Sequence, residues 1–88
     1  MLFEKKQITV TVELYGGLYL KLEKDPSRFQ SGSKIRVPDR STPRDVLKKL
    51  GLPVSRTIIF LVNNSRVSAN TRLRDGDKVI CLTAASGG

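Results

Sequence analysis

Gly87 and Gly88 close the sequence, and a carboxylate carried on two glycines is the group in it best suited to chemistry. Glycine has no Cβ and accepts backbone conformations closed to other residues, so such an end can be threaded into a narrow active site on another protein. The segment Ala84-Ala85-Ser86-Gly87-Gly88 carries only small side chains, which leaves little to anchor it and predicts a flexible tail over 84–88. Side chains elsewhere offer less. One cysteine, Cys81, and no histidine remove disulfide frameworks, zinc sites, histidine triads and histidine acid–base catalysis. Cys81 sits in the apolar run Val79-Ile80-Cys81-Leu82 and reads as a small buried hydrophobe, not a nucleophile. Asp75 and Asp77 flank Gly76 with no companion carboxylates, the pattern of a turn and not of a metal site. Chemistry at the terminus is therefore expected to draw its catalytic groups from a partner.

Charge and length bound the partners. Sixteen Lys and Arg against eight Asp and Glu give a net charge of +8. That balance favours acidic partners or nucleic acid on electrostatic grounds. The basic residues are scattered from Lys5 to Lys78, without a basic run or the aromatic interleaving of RNA-binding surfaces, so they read as a solvated basic face. Eighty-eight residues suit a single domain, with an ordered core over about 8–83. No apolar run approaches the roughly 20 residues of a membrane span, and the N-terminus lacks the basic-then-apolar order of a signal peptide. The expectation is a cytoplasmic protein without membrane association.

The elements that must position the tail are legible in the hydrophobic pattern. Ile8 to Tyr15 alternates strictly, with Ile8, Val10, Val12 and Leu14 on one face and Thr9, Thr11, Glu13 and Tyr15 on the other, which predicts a half-buried strand. Gly16-Gly17 breaks it, Leu18–Leu22 is expected to resume an extended path, and Lys34–Pro38 reads as a second strand stopped by proline. Thr42-Pro43-Arg44-Asp45 is a helix start: Thr42 caps, Pro43 takes the first helical position and Asp45 complements the free amides. Gly51 and Pro53 end the helix near Leu50, and Val46, Leu47 and Leu50 form its apolar stripe. Ile58–Val62 is a continuous apolar run suited to a central strand, and Asn63-Asn64-Ser65 turns it into a short strand near Arg66-Val67. Asn70 to Arg74 turns Leu73 inward, and Asp75-Gly76-Asp77 leads into the last strand, Lys78–Thr83. The fold class is α+β: a mixed sheet of four to five strands crossed by one helix, the helix linking the second strand to the third by a connection long enough for parallel pairing.

The ββαββ order, the Leu73-x-Asp75-Gly76-Asp77-x-Val79 turn, the Val62-Asn63 strand end and the terminal Gly87-Gly88 together resemble the ubiquitin-like β-grasp sulfur carriers. These include the small subunit of molybdopterin synthase and the sulfur carrier of thiamine biosynthesis. The resemblance implies that the protein is a carrier and not itself an enzyme. An E1-like enzyme uses ATP and magnesium to adenylate the Gly88 carboxylate, sulfur replaces AMP, and the resulting thiocarboxylate passes its sulfur to a synthase subunit. Gly88 then carries the sulfur and Gly87 lets the tail pass a constricted channel. The carrier itself binds no cofactor. Three features depart from the family pattern: the strong basic charge, the long connection from Leu18 to Ser33, and Ala84-Ala85 where prolines are common.

Alternation places Tyr15, Leu61 and Leu82 opposite the inward residues Leu14, Phe60 and Cys81, so these three form an exposed apolar patch for partner docking unless the strand register is shifted. Arg72 and Arg74 flank the last strand, either as solvated charges or as contacts for acidic residues of an activating enzyme. Two other readings remain open. One is a basic ubiquitin-like binding module that uses its charge on RNA or an acidic protein; the other is a protein modifier whose terminus ends in an isopeptide bond.

Overall fold

The structure, a computed structural model, describes residues 6–16, 18 and 31–83. The expected tail and most of the 18–33 connection lie outside those residues. Strand β1 (Gln7–Tyr15) alternates buried and open positions along its length, as nine residues with every second one apolar dictate. It pairs antiparallel with β2 (Ser33–Pro38), Ile8 opposite Val37 and Val12 opposite Ser33. Helix α1 (Pro43–Lys49) starts at a complete capping box: the Asp45 amide donates to Thr42 Oγ1 at 3.2 Å, and the Thr42 amide donates to the Asp45 carboxylate at 3.0 Å. Pro43 occupies the first turn, where its missing N–H costs nothing. Gly51, at φ 71°, turns the chain out of the helix.

Strands β3 (Ile58–Val62) and β4 (Ser65–Val67) form a hairpin whose two turn residues, Asn63 and Asn64, both take positive φ, 50° and 72°. Asparagine tolerates that region better than other side chains, and a turn of this hand matches the twist of its strands. Strand β5 (Lys78–Thr83) completes one sheet in the order β2-β1-β5-β3-β4. β5 runs parallel to β1 and antiparallel to β3.

Two expectations need correction. The strands joined by α1, β2 and β3, are not neighbours, because β1 and β5 stand between them; the parallel pair is β1 with β5. The apolar β3 run is an interior strand as expected, between β5 and β4, and β5 stands at the middle of the five with its inward residues Val79 and Cys81 showing no exposed surface. Leu18, expected to resume an extended path, has helical backbone and is buried; Gly16, at φ 68°, redirects the chain off β1 and carries Leu18 under the core. Residues 19–22 lie outside the described set.

One face of the sheet holds the core. Val10, Val12, Leu14, Phe60, Val79 and Cys81 pack against Val46 and Leu47 of α1, its C-terminal cap Leu50, and Leu52 and Leu73 from the loops. Leu73 is held inward where its amide donates to the Ser41 carbonyl at 2.8 Å. Among the described residues no helix is long and apolar enough to cross a membrane.

Gly16 and Gly76 separate two reasons for glycine. Both have positive φ, but a Cβ on Gly16 would sit 2.7 Å from Thr83 Oγ1, whereas one on Gly76 would meet nothing within 4 Å. Gly76→Ala is expected to cost about 1–2 kcal/mol, the left-handed penalty alone. Gly16→Ala is expected to cost roughly 1 kcal/mol more, because Thr83 must also give way. Urea denaturation of the two variants checks the order, and equal losses would mean that the β1–β5 contact yields freely.

Candidate functional site

The register of the sheet determines what its open face, away from α1, presents. Tyr15 pairs with Leu82 and Leu82 with Ile59, giving one row; Glu13 pairs with Ile80, Ile80 with Leu61 and Leu61 with Arg66, giving the next. The two rows bring Tyr15, Leu82, Ile59, Ile80 and Leu61 together. Tyr15 is 50% exposed, and the four aliphatic residues are half-buried. A contiguous apolar strip on an otherwise polar face is the kind of surface that another protein covers.

Polar groups frame this strip. Tyr15 Oη donates to Glu13 Oε1, and Lys78 Nζ lies 3.0 Å from Glu13 Oε2. The tyrosine hydrogen bond and then Lys78 hold the Glu13 carboxyl below its usual range, and the same bond raises Tyr15. Glu13 therefore stays ionised at neutral pH and fixes the Tyr15 ring at the edge of the strip. Further out, Lys34 stands opposite Thr11 and Arg36 opposite Thr9, so the face turns basic toward β2.

Of the residues singled out in the sequence, the structure brings Tyr15, Leu61 and Leu82 onto one face. Arg72 and Arg74 are exposed but precede β5, at the end remote from Leu82; Lys78 to Leu82 alone spans about 13 Å at strand rise. They do not join the strip. Gly87 and Gly88 lie outside the described residues. β5 nevertheless ends at Thr83, so the chain toward them departs from the Tyr15–Leu82 end of the face. Ile59, Ile80 and Arg66 were missed, although parity already places Ile59 with Leu61 and Ile80 with Leu82 along their strands.

The Asp75-Gly76-Asp77 segment acts through hydrogen bonds. Asp75 Oδ1 accepts from the Thr9 amide at 2.8 Å, and Asp77 accepts from the Arg74 amide and from Asn63 Nδ2. Cys81 is fully buried, and burial pushes its thiol up to about 12.

Comparison with known proteins decides the family. The model of the ThiS family matches residues 23–88, three quarters of the sequence including both terminal glycines. The chain belongs to the ThiS family. The fold of this ThiS-family member is shared by solved structures of low sequence identity. The HVO 2177 protein of Haloferax volcanii is 21% identical with a TM-score of 0.70, covering 100% of this chain and 93% of that one. Small archaeal modifier protein 1 of the same organism is 14% identical with a TM-score of 0.66, covering 89% and 99%. A ubiquitin of Caldiarchaeum subterraneum is 17% identical with a TM-score of 0.57, covering 94% and 100%. The search of curated proteins returned no match. Family and fold together make this a ubiquitin-like small modifier or sulfur carrier.

Burial of Cys81 generates a test. At pH 8 a thiol titrating near 12 is ionised in about one molecule in ten thousand, against about one in four for an unfolded cysteine, so native alkylation by iodoacetamide should be slower by orders of magnitude than alkylation in denaturant. The folded state holds the thiol proton more tightly than the unfolded one. That contribution to stability is complete below the unfolded thiol's value of about 8.5 and is lost as pH rises from there toward 12. Equal alkylation rates in the native and denatured protein would place Cys81 outside the core.

Proposed function

We propose that this ThiS-family protein is a sulfur carrier whose Gly88 carboxylate is the reactive group. One observation carries the reading: the family match runs over residues 23–88 and so spans Gly87 and Gly88. A carboxylate resists attack because its oxygen is a poor leaving group. Adenylation by an E1-like enzyme, using ATP and magnesium bound by that enzyme, releases pyrophosphate and turns the oxygen into part of AMP. A sulfur nucleophile then attacks the acyl carbon and AMP leaves, so one carboxylate oxygen is exchanged for sulfur. The thiocarboxylate hands its sulfur to a synthase subunit in molybdopterin or thiamine biosynthesis.

The protein contributes presentation. Glycine at 87 lets the tail lie in a narrow channel, and the apolar strip beside the start of that tail gives the activating enzyme a surface to hold. Tyr15, Leu61 and Leu82, as docking residues, orient the tail toward the nucleotide, and the carrier works in the cytoplasm.

The likeness to an archaeal modifier protein supports a second reading, conjugation of Gly88 to a lysine of a target. Both readings share the adenylate and part afterwards. Incubation with the cognate E1-like enzyme, ATP, magnesium and a sulfur source is expected to add about 16 Da at Gly88 alone. The gain should persist in Cys81→Ser and vanish in Gly87→Val, whose branched side chain obstructs the channel. A mass gain that requires Cys81 would put the sulfur on the thiol and overturn the proposal. Isopeptide-linked Gly88 on target lysines without any thiocarboxylate would favour the modifier.

Leu82→Glu tests the docking face separately. Leu82 lies outside the core, so the variant should keep its fold by circular dichroism while its affinity for the activating enzyme drops at least about tenfold, because a charge would enter a desolvated contact. Unchanged affinity would remove this face from the interface.

A further inference from the structure

The antiparallel ladder between β3 and β4 opens before it should. The Asn63 amide donates to the Lys78 carbonyl, so residues 59, 61 and 63 direct their backbone groups at β5 and residues 58, 60 and 62 direct theirs at β4. Phe60 faces Val67 and Val62 faces Ser65, so the next rung would join Ile58 to Ala69. It is broken from both sides: the Ile58 amide donates to the Ser55 carbonyl at 3.3 Å, and the Ala69 carbonyl accepts from the Arg44 amide at 3.1 Å. The remaining two groups of that rung, the Ile58 carbonyl and the Ala69 amide, have no partner among the described residues. The split strands enclose an open groove of about 710 Å³ floored by Val54, Ile58 and Val67.

Three arginines, Arg44, Arg56 and Arg66, line this groove. All are exposed, and among the described residues none is paired with a carboxylate. The described acids are engaged elsewhere: Glu13 with Tyr15 and Lys78, Asp39 with the Arg40 amide, Asp45 in the helix cap, Asp75 and Asp77 in the turn before β5. Phe60, the aromatic residue of the lining, is buried in the core, so the groove offers no ring on which a base could stack.

We propose that this groove binds an extended acidic peptide segment of a partner protein, its backbone completing the open rung at Ile58 and Ala69 and its carboxylates meeting Arg44, Arg56 and Arg66. Strand addition at an exposed sheet edge uses main-chain bonds for affinity and side-chain charge for choice of partner. Apolar residues alternating with the acids rest on Val54 and Val67. The groove touches the Tyr15–Leu82 strip through Ile59, so one partner can cover both surfaces.

The test uses isotope-labelled full-length protein titrated at low salt with a short synthetic peptide alternating glutamate and valine. The amides of Ile58, Arg66 and Ala69 are expected to shift on addition, and the double variant Arg56→Glu/Arg66→Glu should lose about tenfold or more in affinity while keeping its dispersed amide spectrum. The matching lysine–valine peptide should bind the double variant and not the parent. Absence of shifts at these amides, or equal binding of both peptides by the parent, overturns the proposal. Tighter binding of a short oligothymidine at the same amides overturns it in favour of a nucleic-acid backbone. Neither ATP nor an activating enzyme is present, so the result is independent of sulfur transfer at Gly88.

Discussion

Everything about the open face depends on the register at which β5 enters between β1 and β3. A slip of one residue would exchange the faces, burying Ile80 and Leu82 and exposing Val79 and Cys81. The turn that precedes β5 prevents this by bonding to both neighbours at once. Toward β1, Asp75 takes the Thr9 amide, Gly76 donates to the Thr9 carbonyl and Thr11 donates to the Asp77 carbonyl. Toward the β3–β4 hairpin, Asp77 takes Asn63 Nδ2, and Asn63 exchanges further bonds with Lys78 through its side chain and backbone. A strand pinned at its first residue on two sides has one register available, and the apolar strip follows from it.

The same use of carboxylates explains why so basic a protein has so few ion pairs among its described residues. Asp45, Asp75 and Asp77 accept hydrogen bonds from backbone amides at a helix start and at a turn, where a charged acceptor is stronger than a neutral one. Glu13 is shared by Tyr15 and Lys78. With the described acids engaged in this way, Arg44, Arg56, Arg66, Arg72 and Arg74 have no carboxylate partner among the described residues, and the positive potential there is a consequence of the architecture as much as of the count. These arginines are spread over two ends of the sheet, so they form more than one surface.

Burial divides the chemistry in a similar way. Cys81, the side chain most nucleophilic in principle, is inward on the central strand and held protonated by its surroundings.

Local patterns in the sequence determined the strand at Ile8–Tyr15 with its two faces, the capped helix from Thr42, the Asn63-Asn64 hairpin and the Asp75-Gly76-Asp77 turn. In each case the signal lies within a few residues: alternation, a capping side chain, a residue that tolerates positive φ. That Tyr15, Leu61 and Leu82 each lie opposite the inward residues of their strands was also legible, because parity along a strand assigns a face before its neighbours are known. Tertiary structure alone decided which strand stands in the centre, since β5 reaches β1 across more than sixty residues and no local pattern encodes that choice. It alone set Arg72 and Arg74 apart from the strip, turned Leu18 into the core, and opened the rung between Ile58 and Ala69. That last feature joins a local turn, in which Ser55 takes the Ile58 amide, to a contact between Arg44 of the helix and the Ala69 carbonyl that exists only once the chain has folded.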